Sequence, residues 1–222
     1  MALLLFGPAA ALAAPCPKPP KPSLTVEVRE GTVETDFATP LKRLQSLAAE
    51  RRGPPVGPNA HALGVTESNF ASNAEYSFWI ARLSDGTVCA APQSVRLRVG
   101  FPRHTIHVGR ELRQDRCVFD TVLEHERRHV AVDKKALAEW VPDLRRRYGA
   151  AIARTAMVTG RSADRVSKTL EERLNKALQA ELDDFGRLRD RRQATVDTPQ
   201  EYARVGRACR GRAAAILREA LD

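Results

Sequence analysis

The spacing of apolar residues changes once along this chain, and the change divides it in two. In the first half apolar and polar positions alternate, as in "SVRLRVGF", where Val95, Leu97 and Val99 oppose Arg96 and Arg98. A period of two marks a strand with one buried face. "LTVEVREGTVET" reads as another strand, and "AEYSFWIARL" and "TVCAA" flank the hairpin turn Ser84-Asp85-Gly86. "HTIHVG" is a further short strand just before the helical half, where it is expected to form the edge of the sheet. Between the first strands, "PLKRLQSLAAERR" predicts a short helix ending at Gly53, and "GPPVGPNAHALG" a loop.

From Val118 onward the apolar spacing becomes three and four. Helical pattern runs to about Met157, with Pro142 as a kink, and returns from Ala163 to about Ala194. Its second stripe is Val166, Leu170, Leu174, Leu178, Leu182, Phe185 and Leu188. Gly160 is a helix stop and Ser162 an N-cap, so the two helices form an αα-hairpin turning near residue 160. The layout predicts an α+β fold: a small, mostly antiparallel sheet, then a helical half.

The ends of the chain refine this division. "MALLLFGPAAALAAPC" is an apolar run ending in small residues, and Ala11-Leu12-Ala13 fits a signal-peptidase site. The expected organisation is a signal peptide over residues 1–14, a Pro-rich spacer over 15–23 and one domain over 24–222. That domain is sheet-rich over 24–110 and helical over 111–222. Export to the periplasm or the outside explains the cysteines. Cys16, Cys89, Cys117 and Cys209 are even in number and lack C-x-x-C spacing, which favours two disulfides over a thiolate metal site and leaves three connectivities open.

Composition excludes disorder, with 43% hydrophobic and 28% charged residues. The net charge of +9 favours anionic partners. In an exported chain this points to a cell-envelope surface rather than to nucleic acid.

The candidate chemistry lies in "TVLEHERRHVAVD", residues 121–133. On a helical projection Val118, Val122, Ala136 and Trp140 fall within about 60° of His125, and His129 at about 40°. Both histidines therefore sit on the buried face, one turn apart, where two imidazoles can reach one zinc ion. Glu126 is rotated off the pair and can take a proton from a water in the ion's open position, activating it for attack on a carbonyl.

This His125-Glu126-x-x-His129 pattern resembles the zincin metallopeptidases. More narrowly, the chain resembles the bacterial family catalogued as predicted secreted zinc-dependent proteases. The resemblance rests on the export signal, the strand holding Cys89, "CVFDTVLEHERRHVAV" and "RRQATVDTPQEY", over about residues 70–205. It implies an exported zinc hydrolase with a peptide or protein substrate, an amide of the cell wall being a variant.

Zinc needs a third protein ligand. Asp133 stands eight residues past His125, about 12 Å along a straight helix, and suits an outer acceptor better than a ligand. The helical hairpin brings its far end, around Gln193, level with the His pair. Asp197 is the favoured ligand, with Glu201 and Asp190 as alternatives. Against it stands the capping box Thr198-Pro199-Gln200-Glu201, which Asp197 could merely support. Tyr202 is a candidate oxyanion donor or a packing residue. His104 and His107 are expected to share a face of the edge strand, partly exposed.

Overall fold

The structure, a computed structural model, describes residues 15–50 and 61–221. The expected signal peptide and most of the loop "GPPVGPNAHALG" lie outside these residues. The sheet comes first: β1 (Ser23–Asp36), β2 (Gly64–Arg82) and β3 (Val88–Val108), with helix α1 (Leu41–Ala49) between β1 and β2. Then come α2 (Arg116–Arg154), a short strand β4 (Val158–Gly160), α3 (Ala163–Gln193), α4 (Pro199–Arg207) and α5 (Arg212–Leu221). This is the expected α+β order.

Strand order is β1-β3-β2, and β4 pairs with the start of β3. Two of the pairings, β2 with β3 and β3 with β4, are antiparallel, while β1 runs parallel to β3. The β2–β3 turn forms at Ser84-Asp85-Gly86: Gly86 has φ +81°, and Asp85 Oδ1 accepts from the Thr87 amide at 2.8 Å.

The strand predictions need one correction. "SVRLRVGF" and "HTIHVG" are parts of one strand, β3, and the second part is not an edge. Ile106 pairs with Thr35 on one side and Thr66 on the other. The edges are β1 and β2. Gly100 and Pro102 both lie inside the strand, where β1 crosses closely. A Cβ on Gly100, whose φ is +149°, would stand 2.0 Å from the Arg29 carbonyl oxygen, and one on Gly31 would stand 1.8 Å from that of Pro102.

Alternation along β3 sets the layers. Val95, Leu97, Val99 and Phe101 are buried against Leu137, Trp140, Leu144 and Tyr148 of α2 and Leu174, Leu178 and Phe185 of α3. The other face is wet: Arg98 bridges Glu27 at 3.2 Å and Glu75 at 2.6 Å, across all three long strands. A second core joins Leu41 and Leu44 of α1 to Val65, Ile106, Val108, Val118 and Val122. Each large apolar side chain fully buried in such a core contributes roughly 1.5–3 kcal/mol.

Helix α2 begins at Asp115, whose Oδ1 accepts from the Val118 amide at 3.2 Å, and continues through Pro142 as a single helix. Its polar segment, His125 to Asp133, lies where the two cores meet. Ser162 caps α3 as expected, accepting from the Arg165 amide at 3.4 Å. Disulfides tie Cys16 to Cys89 and Cys117 to Cys209, which indicates a non-reducing surrounding. Among the described residues no helix is long and apolar enough to cross a membrane.

The close crossing of β1 and β3 gives a stability prediction. Gly100→Ala should lose roughly 1–3 kcal/mol from backbone strain alone, with more from the collision with Arg29. Urea denaturation of the two proteins measures it, and an unchanged midpoint would contradict the crossing.

Candidate metal centre

Helix α2 presents His125 and His129 from one face, with fractional exposures of 8% and 2%. Their Nε2 atoms point at each other, 3.2 Å apart. The segment after α3 brings Asp197 to the same point: its Oδ1 is 3.4 Å from His125 Nε2 and 3.2 Å from His129 Nε2. These three residues form a group that could hold a metal ion.

The far side of each imidazole decides what the near side offers. His129 Nδ1 lies 2.6 Å from Gln193 Oε1. The amide of Gln193 cannot be turned round, because its Nε2 donates to the His129 carbonyl at 3.0 Å and to Asp133 Oδ1 at 2.6 Å. So Gln193 Oε1 accepts, and His129 Nδ1 carries the proton. His125 Nδ1 lies 3.2 Å from Glu201 Oε1. Glu201 is held ionised by Arg204, which donates to both its oxygens at 2.8 and 2.9 Å, and by Arg128. It can only accept, so His125 Nδ1 also carries a proton.

Both Nε2 atoms are then lone pairs, aimed at each other and at a carboxylate oxygen. Three acceptors this close repel unless a cation lies among them. Donors around a tetrahedral zinc at about 2.0–2.1 Å stand roughly 3.3–3.4 Å apart, and the observed edges of 3.2, 3.2 and 3.4 Å match that spacing. The donor set, two imidazoles and a carboxylate with outer partners on both rings, suits a divalent transition metal, zinc among them.

Without an ion a proton takes its place. Burial opposes charging of His129, but the hydrogen bond to Asp197 and the charges of Glu126 and Asp197 outweigh it, so its pKa rises above the ordinary value. Burial likewise opposes ionisation of Asp197, and the hydrogen bonds and charges of the two histidines outweigh it, holding its carboxyl well below the usual range.

Asp133 anchors the outer layer. Fully buried, it receives Arg189 at 2.6 and 3.1 Å as well as Gln193. Burial would raise its pKa, but nearby His104, the bonds and charge of Arg189, and nearby Ser68 hold it far below normal. It supports the site through Gln193, as an outer acceptor.

Glu126 is buried at 4% exposure, and its Oε2 accepts from Thr66 Oγ1 at 2.7 Å. A Cβ at Gly64 would stand 2.8 Å from Glu126 Oε1, so the missing side chain makes room for this carboxylate beside edge strand β2.

No protein-family model, curated protein or solved structure matches this chain. The reading of the site therefore rests on its geometry.

The other sequence candidates sort clearly. Glu201 reaches the outer nitrogen of His125 rather than the centre, while still serving α4, where its amide donates to the Thr198 side chain at 3.1 Å. Asp190 is exposed on α3 and outside the group. The Tyr202 hydroxyl donates to Asp197 Oδ1 at 3.3 Å.

The expectation for His104 and His107 was wrong. Both are buried, at 1% and 8%, because β3 is the central strand. Three residues apart, they take opposite faces. His104 Nε2 lies 3.6 Å from Asp133, whereas His107 contacts Asp36 at 3.0 Å and Glu67 at 2.8 Å. Sequence reading did not single out Thr66, Ser68 or Arg189. The hairpin register that places Gln193 beside His129 also places Arg189, one turn earlier, beside Asp133.

The raised pKa of His129 gives a pH prediction with a definite sign. Its stabilising effect on the ion-free chain is fully present below the ordinary value near 6.5 and is lost as pH rises through the raised one. A metal ion held there would have to displace that proton and would bind more weakly as pH falls. The thermal shift on adding zinc should be larger at pH 8 than at pH 5.5. Equal shifts would show that the histidines are not ligands.

Proposed function

We propose that this chain is an exported zinc-dependent peptidase. The observation that carries the reading is the convergence of His125 Nε2, His129 Nε2 and Asp197 Oδ1 at 3.2–3.4 Å, with Glu126 next to His125 on the same helix. His125, His129 and Asp197 would hold the zinc, Asp197 being the finer assignment. Bound there, zinc supplies Lewis-acid polarisation of a carbonyl and lowers the pKa of water.

The chain's own groups do the rest. Glu126 would accept the proton of the attacking water as the new C–O bond forms, then pass it to the amide nitrogen, so that the C–N bond breaks and the amine departs. Thr66 holds one oxygen of that carboxylate by its hydroxyl. Gln193 and Glu201 hold the imidazoles in the tautomer that leaves Nε2 free. Asp197, with 21% of its side chain exposed, is the member of the group most open to solvent. Peptide or protein is the substrate class, and secretion or the periplasm the location, supported by the two disulfides and the N-terminal apolar run.

One observation favours a second reading. Glu126 is almost fully buried and already hydrogen-bonded by Thr66, as a purely structural carboxylate would be. The protein would then be a non-catalytic envelope module with a structural metal, using its +9 charge on anionic polymers.

Glu126→Gln separates the two. On the catalytic reading it keeps zinc near one equivalent and lowers amide hydrolysis by roughly 10²–10⁴-fold, measured as a proteome-wide cleavage profile against wild type. Zinc retained with no cleavage by either protein would favour the binding module.

A further inference from the structure

Two groups of the metal centre, Asp197 and Glu201, sit on the segment after α3, which packs on the second core mostly through half-buried side chains, Val205, Ile216, Leu217 and Ala220. Helix α4 buries no residue fully, and α5 buries only Ala213. Its polar attachments to α2 are few. Arg212 meets Asp115 at 2.6 Å, Glu201 meets Arg128 and His125, and the disulfide joins Cys209 to Cys117 in the first turn of α2.

The backbone at that disulfide is strained. Cys209, Arg210 and Gly211 have φ of +56°, +59° and +75°, three left-handed residues in a row. Only the last is glycine, the residue that adopts this region without steric cost. Such a conformation persists where its surroundings enforce it. The covalent bond to Cys117 is the strongest restraint at that point. Access differs between the two disulfides: Cys16 and Cys209 are both half-buried, but Cys117 is exposed on the helix surface whereas Cys89 is completely buried in β3, beside Thr159 of β4.

We infer that the Cys117–Cys209 disulfide is a redox latch on the metal centre. Closed, it holds α4 against α2, so that Glu201 fixes the His125 tautomer and Asp197 stays beside both Nε2 atoms. Opened, it lets the left-handed turn relax, and α4 and α5 draw away with these two carboxylates. The reductant is a dithiol. Its thiolate attacks Cys117 Sγ, the Sγ–Sγ bond breaks and Cys209 leaves as a thiolate that takes a proton. The second thiol then displaces Cys117, which is protonated in turn, and the reductant departs as a cyclic disulfide. Two electrons and two protons pass to the protein.

This inference rests on the proposed metal site, and its test separates the two. Zinc affinity is measured by competition with a chromophoric chelator for oxidised wild type, dithiol-treated wild type, Cys117→Ser/Cys209→Ser and Cys16→Ser/Cys89→Ser. Hydrogen exchange over residues 195–221 is followed in the zinc-free proteins.

The latch predicts that dithiol treatment and the Cys117/Cys209 variant weaken zinc binding by at least roughly 10–100-fold, the range for loss of outer-shell support such as Glu201, because Asp197 is withdrawn as well. Exchange should speed up over 195–221 and not in β3 or α3. The Cys16/Cys89 variant should keep wild-type affinity. Unchanged affinity and exchange in the Cys117/Cys209 variant would overturn the latch and leave the metal site standing. Exchange that rises throughout the molecule would also overturn it, making the bond a general structural staple. If oxidised wild type binds no zinc, the metal reading fails. The local exchange result then decides whether the segment is latched at all.

Discussion

Three acceptor atoms are held together inside this molecule, and they repel each other unless a positive charge lies among them. Burial sharpens the requirement, because little water is present to screen the lone pairs of His125, His129 and Asp197. A lone imidazole pair could relax by turning one ring over. Here neither ring is free to turn, since Gln193 and Glu201 occupy the outer nitrogens. The fold thus gathers a group that could hold a metal ion, and in the ion-free chain the hydrogen bond to Asp197 and the charges of Glu126 and Asp197 outweigh burial and raise the pKa of His129.

The surrounding structure serves that constraint. The polar stretch of α2 lies between two apolar cores, one under α3 and one beside α1, so the helix cannot rotate its histidines into water without exposing either. Asp133 lies deepest of the polar groups, and its charge is met by Arg189 and by the Gln193 amide. Removing either partner would leave a buried charge poorly compensated, which is more damaging than replacing the whole group by apolar residues. Asp197 arrives last in the chain, on a segment that shares the second core through Val205, Ala213, Ile216 and Leu217.

Much of this was legible in the sequence because it is local or periodic. The stripe on α2 and the cap at Ser162 define the hairpin, and its register places residue 193 beside His129, although the helix stop expected at Gly160 comes earlier: α2 ends at Arg154 and Gly160 lies in β4, paired with Val88. What escaped was non-local. Alternation along "LTVEVREGTVET" marks a strand but carries nothing about its partner, so the parallel pairing of β1 with β3 was not readable. The two readings "SVRLRVGF" and "HTIHVG" stopped on either side of Pro102, although the strand runs through it and Gly100 permits the close approach of β1. That hid the length of β3 and put His104 and His107 on an edge they do not occupy. The outer partners of the imidazoles were in range as ligands, but which nitrogen each reaches depends on side-chain direction, which spacing does not give.

Crystals grown with zinc and measured at the zinc absorption edge test the central claim most directly, because the anomalous signal locates the ion without assuming its ligands. The account predicts one strong peak within coordination distance of His125 Nε2, His129 Nε2 and Asp197 Oδ1, with Gln193 and Glu201 still on the outer nitrogens. A peak elsewhere, or a site between the histidines from which Asp197 is absent, would contradict it.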